Sequence, residues 1–203
     1  MLGFLTTLPC FAQVADLLEK QTPGILLQTG IGMQWLGENY KLSTFSVEMP
    51  VRKFGHLGLQ AYYYLPENQA DEFVFGSKFS GGFEIGAFAK HFLHGKLSGR
   101  KSILYLGPEI RSGKLHHEDW FFGDFTPGLY TTKTEISNHK FLLRWGGQWL
   151  LGKHTVLEFA VPLGWQISKS RSITSNNGSE YRYSGPYFGK FIVAPTILIG
   201  VGF

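Results

Sequence analysis

Hydrophobic and polar residues alternate with a period of two along most of the chain, and this pattern predicts β-strands. In the C-terminal run, residues 187–203, Tyr187, Phe191 and Ile199 fall on one face and Lys190 on the other. Seven upstream segments follow the same rule, at residues 25–35, 45–52, 57–65, 83–93, 104–111, 141–151 and 156–168. The sequence therefore predicts an all-β chain of eight antiparallel strands.

One face of every predicted strand carries no Lys, Arg, Asp or Glu, whereas the opposite faces carry charges of both signs together with many glycines. Mixed small and large residues fill the interior of a narrow barrel, and charges of opposite sign can be matched there. We therefore expect the apolar faces to contact lipid and the other faces to form a polar lumen network. Its predicted members are Glu48, Arg52, Glu84, Lys90, Glu109, Arg111, Arg144, Gln148, Glu158 and Lys190. Among these, Glu109, Arg111 and Arg144 are predicted to contact one another.

Aromatic residues lie near the ends of the apolar faces. Four of them would share one rim, namely Trp35, Tyr63, Trp165 and Tyr187, and two the other rim, namely Trp149 and Phe203. Two aromatic girdles are typical of a transmembrane barrel, and a barrel must close because unpaired backbone groups are not tolerated in lipid. The alternative is a soluble sandwich or barrel that buries these aromatic residues.

The connections between the predicted strands alternate in length. Those at residues 53–55, 94–101 and 152–154 are short, whereas those at 66–80, 113–140 and 169–186 are long. Short turns on one side and long loops on the other are typical of bacterial outer-membrane barrels. The longest loop carries a dense group of aromatic residues that we expect to form a contact surface: Trp120, Phe121, Phe122, Phe125 and Tyr130.

The terminal run, residues 197–203, resembles the C-terminal strand of bacterial outer-membrane proteins, which ends on an aromatic residue and has apolar residues at alternate positions upstream. The resemblance implies that the barrel-assembly machinery reads Ile199, Val201 and Phe203. Over residues 24–203 the chain is similar to small OmpA/OmpX-like barrels and to the uncharacterised outer-membrane β-barrel proteins of Gram-negative bacteria. This implies an eight-stranded antiparallel up-and-down transmembrane β-barrel, with both termini in the periplasm and with outer-membrane lipids and lipopolysaccharide as partners.

The composition of the chain excludes several classes of protein. The chain has 203 residues, 26 glycines, 16% aromatic residues and only 17% charged residues, so disorder is excluded. A single cysteine excludes a disulfide framework, and the net charge of +4 is spread without a basic stripe for nucleic acid. Residues 1–12 are apolar and end in Cys10-Phe11-Ala12, so we expect them to be a truncated signal peptide, cleaved before a periplasmic segment at 13–23.

Two groups could suggest chemistry. The run from His116 to Asp119 has metal-binding residue types, but adjacent residues of an extended loop point apart. A lipid A-modifying enzyme would need a nucleophile and an acidic residue within reach of a histidine. His91 would face lipid, and no serine or acidic residue lies beside it. We expect no catalytic, cofactor or metal site, and predict a structural or surface-interaction role through the long loops. A narrow channel for small or apolar solutes and a lipid A-modifying enzyme remain as alternatives.

Overall fold

A computed structural model describes residues 25–35, 40–51, 55–69, 75–93, 102–122, 129–151, 154–176 and 179–203. These residues form ten strands: β1 (Leu26–Gln34), β2 (Tyr40–Val51), β3 (Gly55–Tyr64), β4 (Glu67–Gln69), β5 (Phe75–Leu93), β6 (Ser102–Phe122), β7 (Leu129–Leu150), β8 (Thr155–Asn176), β9 (Ser179–Val193) and β10 (Thr196–Gly202). No helix long and apolar enough to cross a membrane occurs in this part of the chain. The predicted signal peptide and periplasmic segment lie outside the described residues.

All strand pairs are antiparallel, and the hydrogen bonds form a closed ring. Each long strand pairs with its neighbour in sequence, β10 pairs with both β1 and β8, and the short β4 adds only to β5. The chain therefore runs along the length of the barrel wall eight times, because β9 and β10 together form the last pass. The predicted fold class, an antiparallel up-and-down barrel, is confirmed.

The registers set the width of the barrel. Leu26 of β1 pairs with Glu48 of β2. Following the paired residues from each strand to the next around the barrel leads to Gly164 of β8 and then to Ile192 of β9. The next residue, Val193, bridges Trp35, so the ring closes with a stagger of about ten residues along β1. Eight strands with this stagger tilt by about 40° and enclose an interior that side chains can fill.

The alternation predicted from the sequence is present, with the usual polarity of a soluble protein reversed. Large apolar side chains lie on the outside, such as Ile31, Leu59 and Phe141, which are 58–70% exposed. The inward positions hold buried charged and amide side chains, among them Glu48 and Arg144 at 0% exposure. A polar interior and an apolar exterior require lipid rather than water around the barrel, which argues against the soluble alternative.

The prediction of long loops at residues 66–80, 113–140 and 169–186 is wrong, because most of these residues continue the strands. β6, β7 and β8 have 21 or 22 residues each, about twice the 9–11 residues that cross a membrane. By contrast, β1 and β3 have 9 and 10 residues. We call the extensions, at residues 75–82, 113–122, 129–138, 168–176 and 179–185, the tall wall. Much of this wall extends beyond the lipid, although Phe79, Leu115, Asn138 and Ser168 at its base are buried in the barrel. Its outer face need not be apolar there, so the alternation that marks the strands in lipid is lost.

The last pass is also not one continuous strand. The sequence predicted a strand over residues 187–203, but pairing stops at Ala194 and Pro195, between β9 and β10. Proline has no N–H to donate, which interrupts the ladder at this point. The backbone stays in the wall because Met33 N–H donates to the carbonyl of Pro195 at 3.0 Å and Ala194 N–H to that of Pro162 at 2.9 Å.

Candidate functional site: the barrel lumen and the tall wall

Glu158 of β8 is the centre of the lowest layer of the lumen. Its Oε2 accepts hydrogen bonds from Lys90 Nζ at 2.6 Å and from the amides of Gln28 and Gln148, both at 2.9 Å. Lys90 also pairs with Glu48, whose other oxygen lies 3.3 Å from His56 Nδ1. One lysine of β5 therefore joins a carboxylate of β2 to a carboxylate of β8, and this layer connects strands that do not pair with one another.

Arg144 of β7 connects the lowest layer to the middle one. Its Nη2 donates to Glu158 Oε1 at 2.8 Å, and its Nη1 lies 3.3 Å from Glu109 Oε2 and 2.7 Å from Gln60 Oε1. Arg111 donates from Nε to Glu109 at 2.6 Å and stacks 3.8 Å from the centre of the Tyr62 ring. The structure thus brings Glu109, Arg111 and Arg144 together.

Lys140 holds the upper layer. Its Nζ lies 2.7 Å from Glu84 Oε1 and donates to Tyr64 Oη at 2.6 Å and to Gln34 Oε1 at 2.7 Å. Asn138 adjoins this layer through its amide group, 3.4 Å from Glu84. The sequence pattern predicts a loop over residues 113–140, so the predicted network does not include Lys140. That assignment is wrong, because β7 extends through residue 140 and turns this side chain inward.

Apolar and aromatic side chains pack together at the top of these layers, and two of them, Tyr62 and Tyr64, also bond to the network. Tyr40 is packed on Phe79 with ring centres 4.3 Å apart and meets the edge of Tyr64 at 5.9 Å. Leu42 and Leu115 are 1% exposed in the same cluster. We call this group the cap; its members are Tyr40, Leu42, Tyr62, Tyr64, Phe79 and Leu115, with Ile136 packed against them. No single strand pattern reveals the cap, because it forms only when the stagger brings five strands to one height.

Charge in the lumen is balanced. In the part of the chain that the structure describes, four carboxylates and four Lys or Arg side chains are buried: Glu48, Glu84, Glu109, Glu158, Lys90, Arg111, Lys140 and Arg144. Every one of them takes part in an ion pair. A buried charge destabilises the folded protein unless it is paired, and removing one partner leaves the other charge buried without compensation. These paired charges therefore lie inside the barrel and connect the strands around it.

Comparison with known proteins bears on the fold. A major outer membrane protein of Thermus thermophilus has a TM-score of 0.55 and 9% sequence identity, over 88% of this chain and 98% of that one. The chain has the fold of an outer-membrane β-barrel. Neisserial surface protein A has a TM-score of 0.43 at 9% identity, covering 88% and 96%, and the β domain of the Bordetella autotransporter BrkA has 0.28 at 13%, covering 90% and 100%. No protein-family model and no curated protein sequence matches the chain.

The remaining predicted lumen residues differ in their placement. Gln148 is buried in the barrel and opposes Glu158 across β7 and β8. Lys190 opposes Gln166 and is half-buried. Arg52 lies outside the described residues. The strand alternation predicts that Tyr62, Tyr64 and Tyr105 point inward, but the predicted network did not include them. Their hydroxyl groups donate to the lumen carboxylates Glu109, Glu84 and Glu158.

The predicted girdle residues lie on the outer surface of the barrel. Trp35, Tyr63, Trp165, Tyr187 and Phe203 are 47–73% exposed, whereas Trp149 is half-buried. Trp165 meets Phe191 edge to face at 5.9 Å. Ile199, Val201 and Phe203, the predicted assembly signal, point outward on and just after β10, next to the seam with β1.

The two groups with chemical residue types are not assembled into sites. His116, His117, Glu118 and Asp119 belong to β6 rather than to a loop, and the described residues contain no group of three or more metal-binding side chains. His91 lies on the outer surface in an apolar cleft of about 530 Å³. The other residues that line this cleft bring neither a hydroxyl nor a carboxylate: Val51, Leu57, Ala89, Leu93, Leu106, Gly107, Pro108 and Leu143.

The predicted aromatic contact surface is largely strand. Trp120 lies against the backbone of β5 at Gly76 and is half-buried, and Tyr130 of β7 is also half-buried. The backbone of Phe121 and Phe122 belongs to the end of β6. Phe125 lies outside the described residues. The exposed tyrosines of the tall wall, among the described residues, are instead on β9.

Tyr181 and Tyr183 are 67% and 65% exposed. They lie across from Thr174 and Ser172 of β8, which in turn bond to Thr132 and Thr134 of β7 at 2.9 Å. These residues share the face that continues the inside of the barrel. β1, β2 and β3 end lower down, so among the described residues no strand faces this part of the tall wall from the opposite side. The result is a surface of tyrosine rings and hydroxyl groups above the cap.

Proposed function

We propose that the protein is an integral outer-membrane barrel with a filled lumen that binds an extracellular ligand on the inner face of its tall wall. The single observation that carries this proposal is the unequal height of the barrel wall. Strands that extend about ten residues beyond the membrane on one side only are not needed to span the bilayer. They present Tyr181 and Tyr183 to solvent, and rigid tyrosine rings beside small hydroxyl side chains are typical of recognition surfaces.

The proposal includes the orientation of the chain. The start of β1 and the end of β10 lie at the end of the barrel opposite the tall wall, so both termini are periplasmic when the wall faces outward. A Ser175→Cys variant on intact cells should react with a membrane-impermeant maleimide. The matched control is Thr155→Cys at the opposite end of the same strand, which should react only after the outer membrane is opened. The reverse pattern would overturn the orientation.

Ligand binding and transport are tested separately. Purified protein in lipid nanodiscs should bind to at least one member of an array of glycans and extracellular-matrix proteins, and Tyr181→Ala with Tyr183→Ala should abolish that binding. Tyr63→Ala is the control, because this exposed tyrosine lies on the lipid-facing surface. Binding no stronger than that of empty nanodiscs would overturn the ligand role. In planar bilayers we expect no stepwise current, since the network and cap fill the lumen; a steady conductance would instead support a channel.

A further inference from the structure

Four rows of outward-facing residues follow one another up β6, β7 and β8. The lowest row contains Ile110, Phe141 and Trp165, all 56–60% exposed. Two positions further along each strand lies a mixed row, and the next row opposes Lys114, Ser137 and Lys169. The fourth row places Glu135 beside Arg171. The outer surface thus changes from aromatic to cationic within a few residues.

The spacing places the change at a defined depth. Two residues along a strand cover about 6.6 Å, or about 5 Å of height at a tilt near 40°. Each lysine therefore lies roughly 10 Å above the residue of its own strand in the lowest row, Lys114 above Ile110 and Lys169 above Trp165. Aromatic side chains favour the membrane interface, so the lysines lie at the level of the lipid headgroups.

These cations surround a shallow polar cleft of about 300 Å³. Lys114, Lys169 and Arg171 contribute three positive charges, and Glu135, which pairs with Lys114 at 2.9 Å, contributes one negative charge. Lys169 also lies 5.1 Å from the centre of the Tyr187 ring. His139 completes the lining and bonds to Ser112 at 3.1 Å. The cleft has excess positive charge on a surface that must otherwise suit lipid.

We propose that this cleft binds the phosphate groups of lipid A from lipopolysaccharide in the outer leaflet. Phosphate accepts charge-assisted hydrogen bonds from Lys and Arg, and the acyl chains of the same lipid would cover the aromatic row below. The inference rests on the orientation given under Proposed function, but not on the tyrosine surface, which lies on the other face of the wall.

The test measures lipid binding by purified protein in nanodiscs. Wild-type protein should bind intact lipopolysaccharide at least about tenfold more tightly than dephosphorylated lipopolysaccharide or phosphatidylglycerol. Lys114→Gln, Lys169→Gln and Arg171→Gln together should remove this difference. The matched control replaces three exposed cations elsewhere, Lys41→Gln, Lys78→Gln and Arg182→Gln, and should keep it.

Three outcomes would overturn the inference. Equal affinity of the wild type for intact and dephosphorylated lipopolysaccharide would exclude the phosphate groups as ligands. Equal affinity for lipopolysaccharide and phosphatidylglycerol would indicate general attraction to anionic lipid. An equal loss in the control variant would show that total charge, rather than the cleft, determines binding. Because the array experiment depends on Tyr181 and Tyr183, its failure would leave this result unaffected.

Discussion

Arg144 and Glu158 form an ion pair of 2.8 Å in the centre of the lumen, and both side chains are completely buried. They lie on adjacent strands, but each also binds a side chain from a strand that is not its neighbour: Arg144 reaches Gln60 of β3, three strands away around the ring, and Glu158 reaches Gln28 of β1, two strands away. The pair therefore connects strands across the lumen that do not pair with one another. The interior of the barrel therefore stabilises the arrangement of the strands, and their outer surfaces and extensions remain available for binding.

Removing the charge of Glu158 should destabilise the barrel. In Glu158→Gln, Arg144 and Lys90 lose their shared carboxylate and keep their charges, so we expect the free energy of unfolding to fall by about 3 kcal/mol. Urea unfolding in lipid vesicles, followed by the gel mobility of unheated samples, measures this. Glu180→Gln is the control: Glu180 is exposed and pairs with Arg182 at 3.6 Å, so its loss should have an effect near zero. Equal effects in both variants would contradict the role of the network.

Glu84 and Lys140 offer a double-mutant test in the upper layer. Lys140→Met alone leaves a buried, unpaired carboxylate, and Glu84→Gln alone leaves an unpaired ammonium group, so each should lower the free energy of unfolding by about 3 kcal/mol. The double variant removes both charges, and its loss should be smaller than the sum of the two by about 1–3 kcal/mol. Strictly additive losses would show that the two residues act independently.

The sequence was sufficient to predict the barrel and most inward charges, because lipid outside and polar groups inside impose a strict alternation over each crossing. Above the membrane the outer face of a strand no longer contacts lipid, and the requirement for apolar residues on that face disappears. Residues 131–136 therefore form part of a strand without showing apolar alternation. Their threonines and isoleucine favour β structure, but they carry no period of two. Lys140 was missed because it lies at the boundary between these two regimes.

The cap and the partners within the network needed more than the strand pattern. Whether Tyr40 meets Phe79, or Lys90 meets both Glu48 and Glu158, depends on the stagger of the ring. A one-residue change of register would turn these side chains to the outer face. Alternation along one strand determines which face a residue occupies, but leaves the heights of non-adjacent strands undetermined.

Gly107 provides a test of the close packing between β5 and β6. A Cβ atom at this position would lie 1.9 Å from the carbonyl oxygen of Ala89, whereas one at Gly189 would find its nearest neighbour, the carbonyl of Gln166, at 3.8 Å. Gly107→Ala should therefore force the two strands apart and lower the free energy of unfolding by about 2 kcal/mol. Gly189→Ala should change it little, as measured by the same urea titration. A loss at Gly189 as large as that at Gly107 would contradict this packing.

The free edge of the tall wall should be visible in backbone exchange. Residues 131–137 of β7 pair with β6 on one side and β8 on the other, whereas residues 179–184 of β9 pair only with β8 among the described strands. Amide groups that face away from a neighbouring strand exchange readily with solvent.

Hydrogen–deuterium exchange in nanodiscs should therefore show about half of the amides in residues 179–184 exchanging early, while residues 131–137 stay protected. A bound ligand that adds a strand to this edge would protect the early amides, whereas one that contacts only the tyrosine rings would leave them unchanged. Uniform protection of β9 in the protein alone would contradict an open edge, and the proposed ligand would then have only the face of the wall to bind.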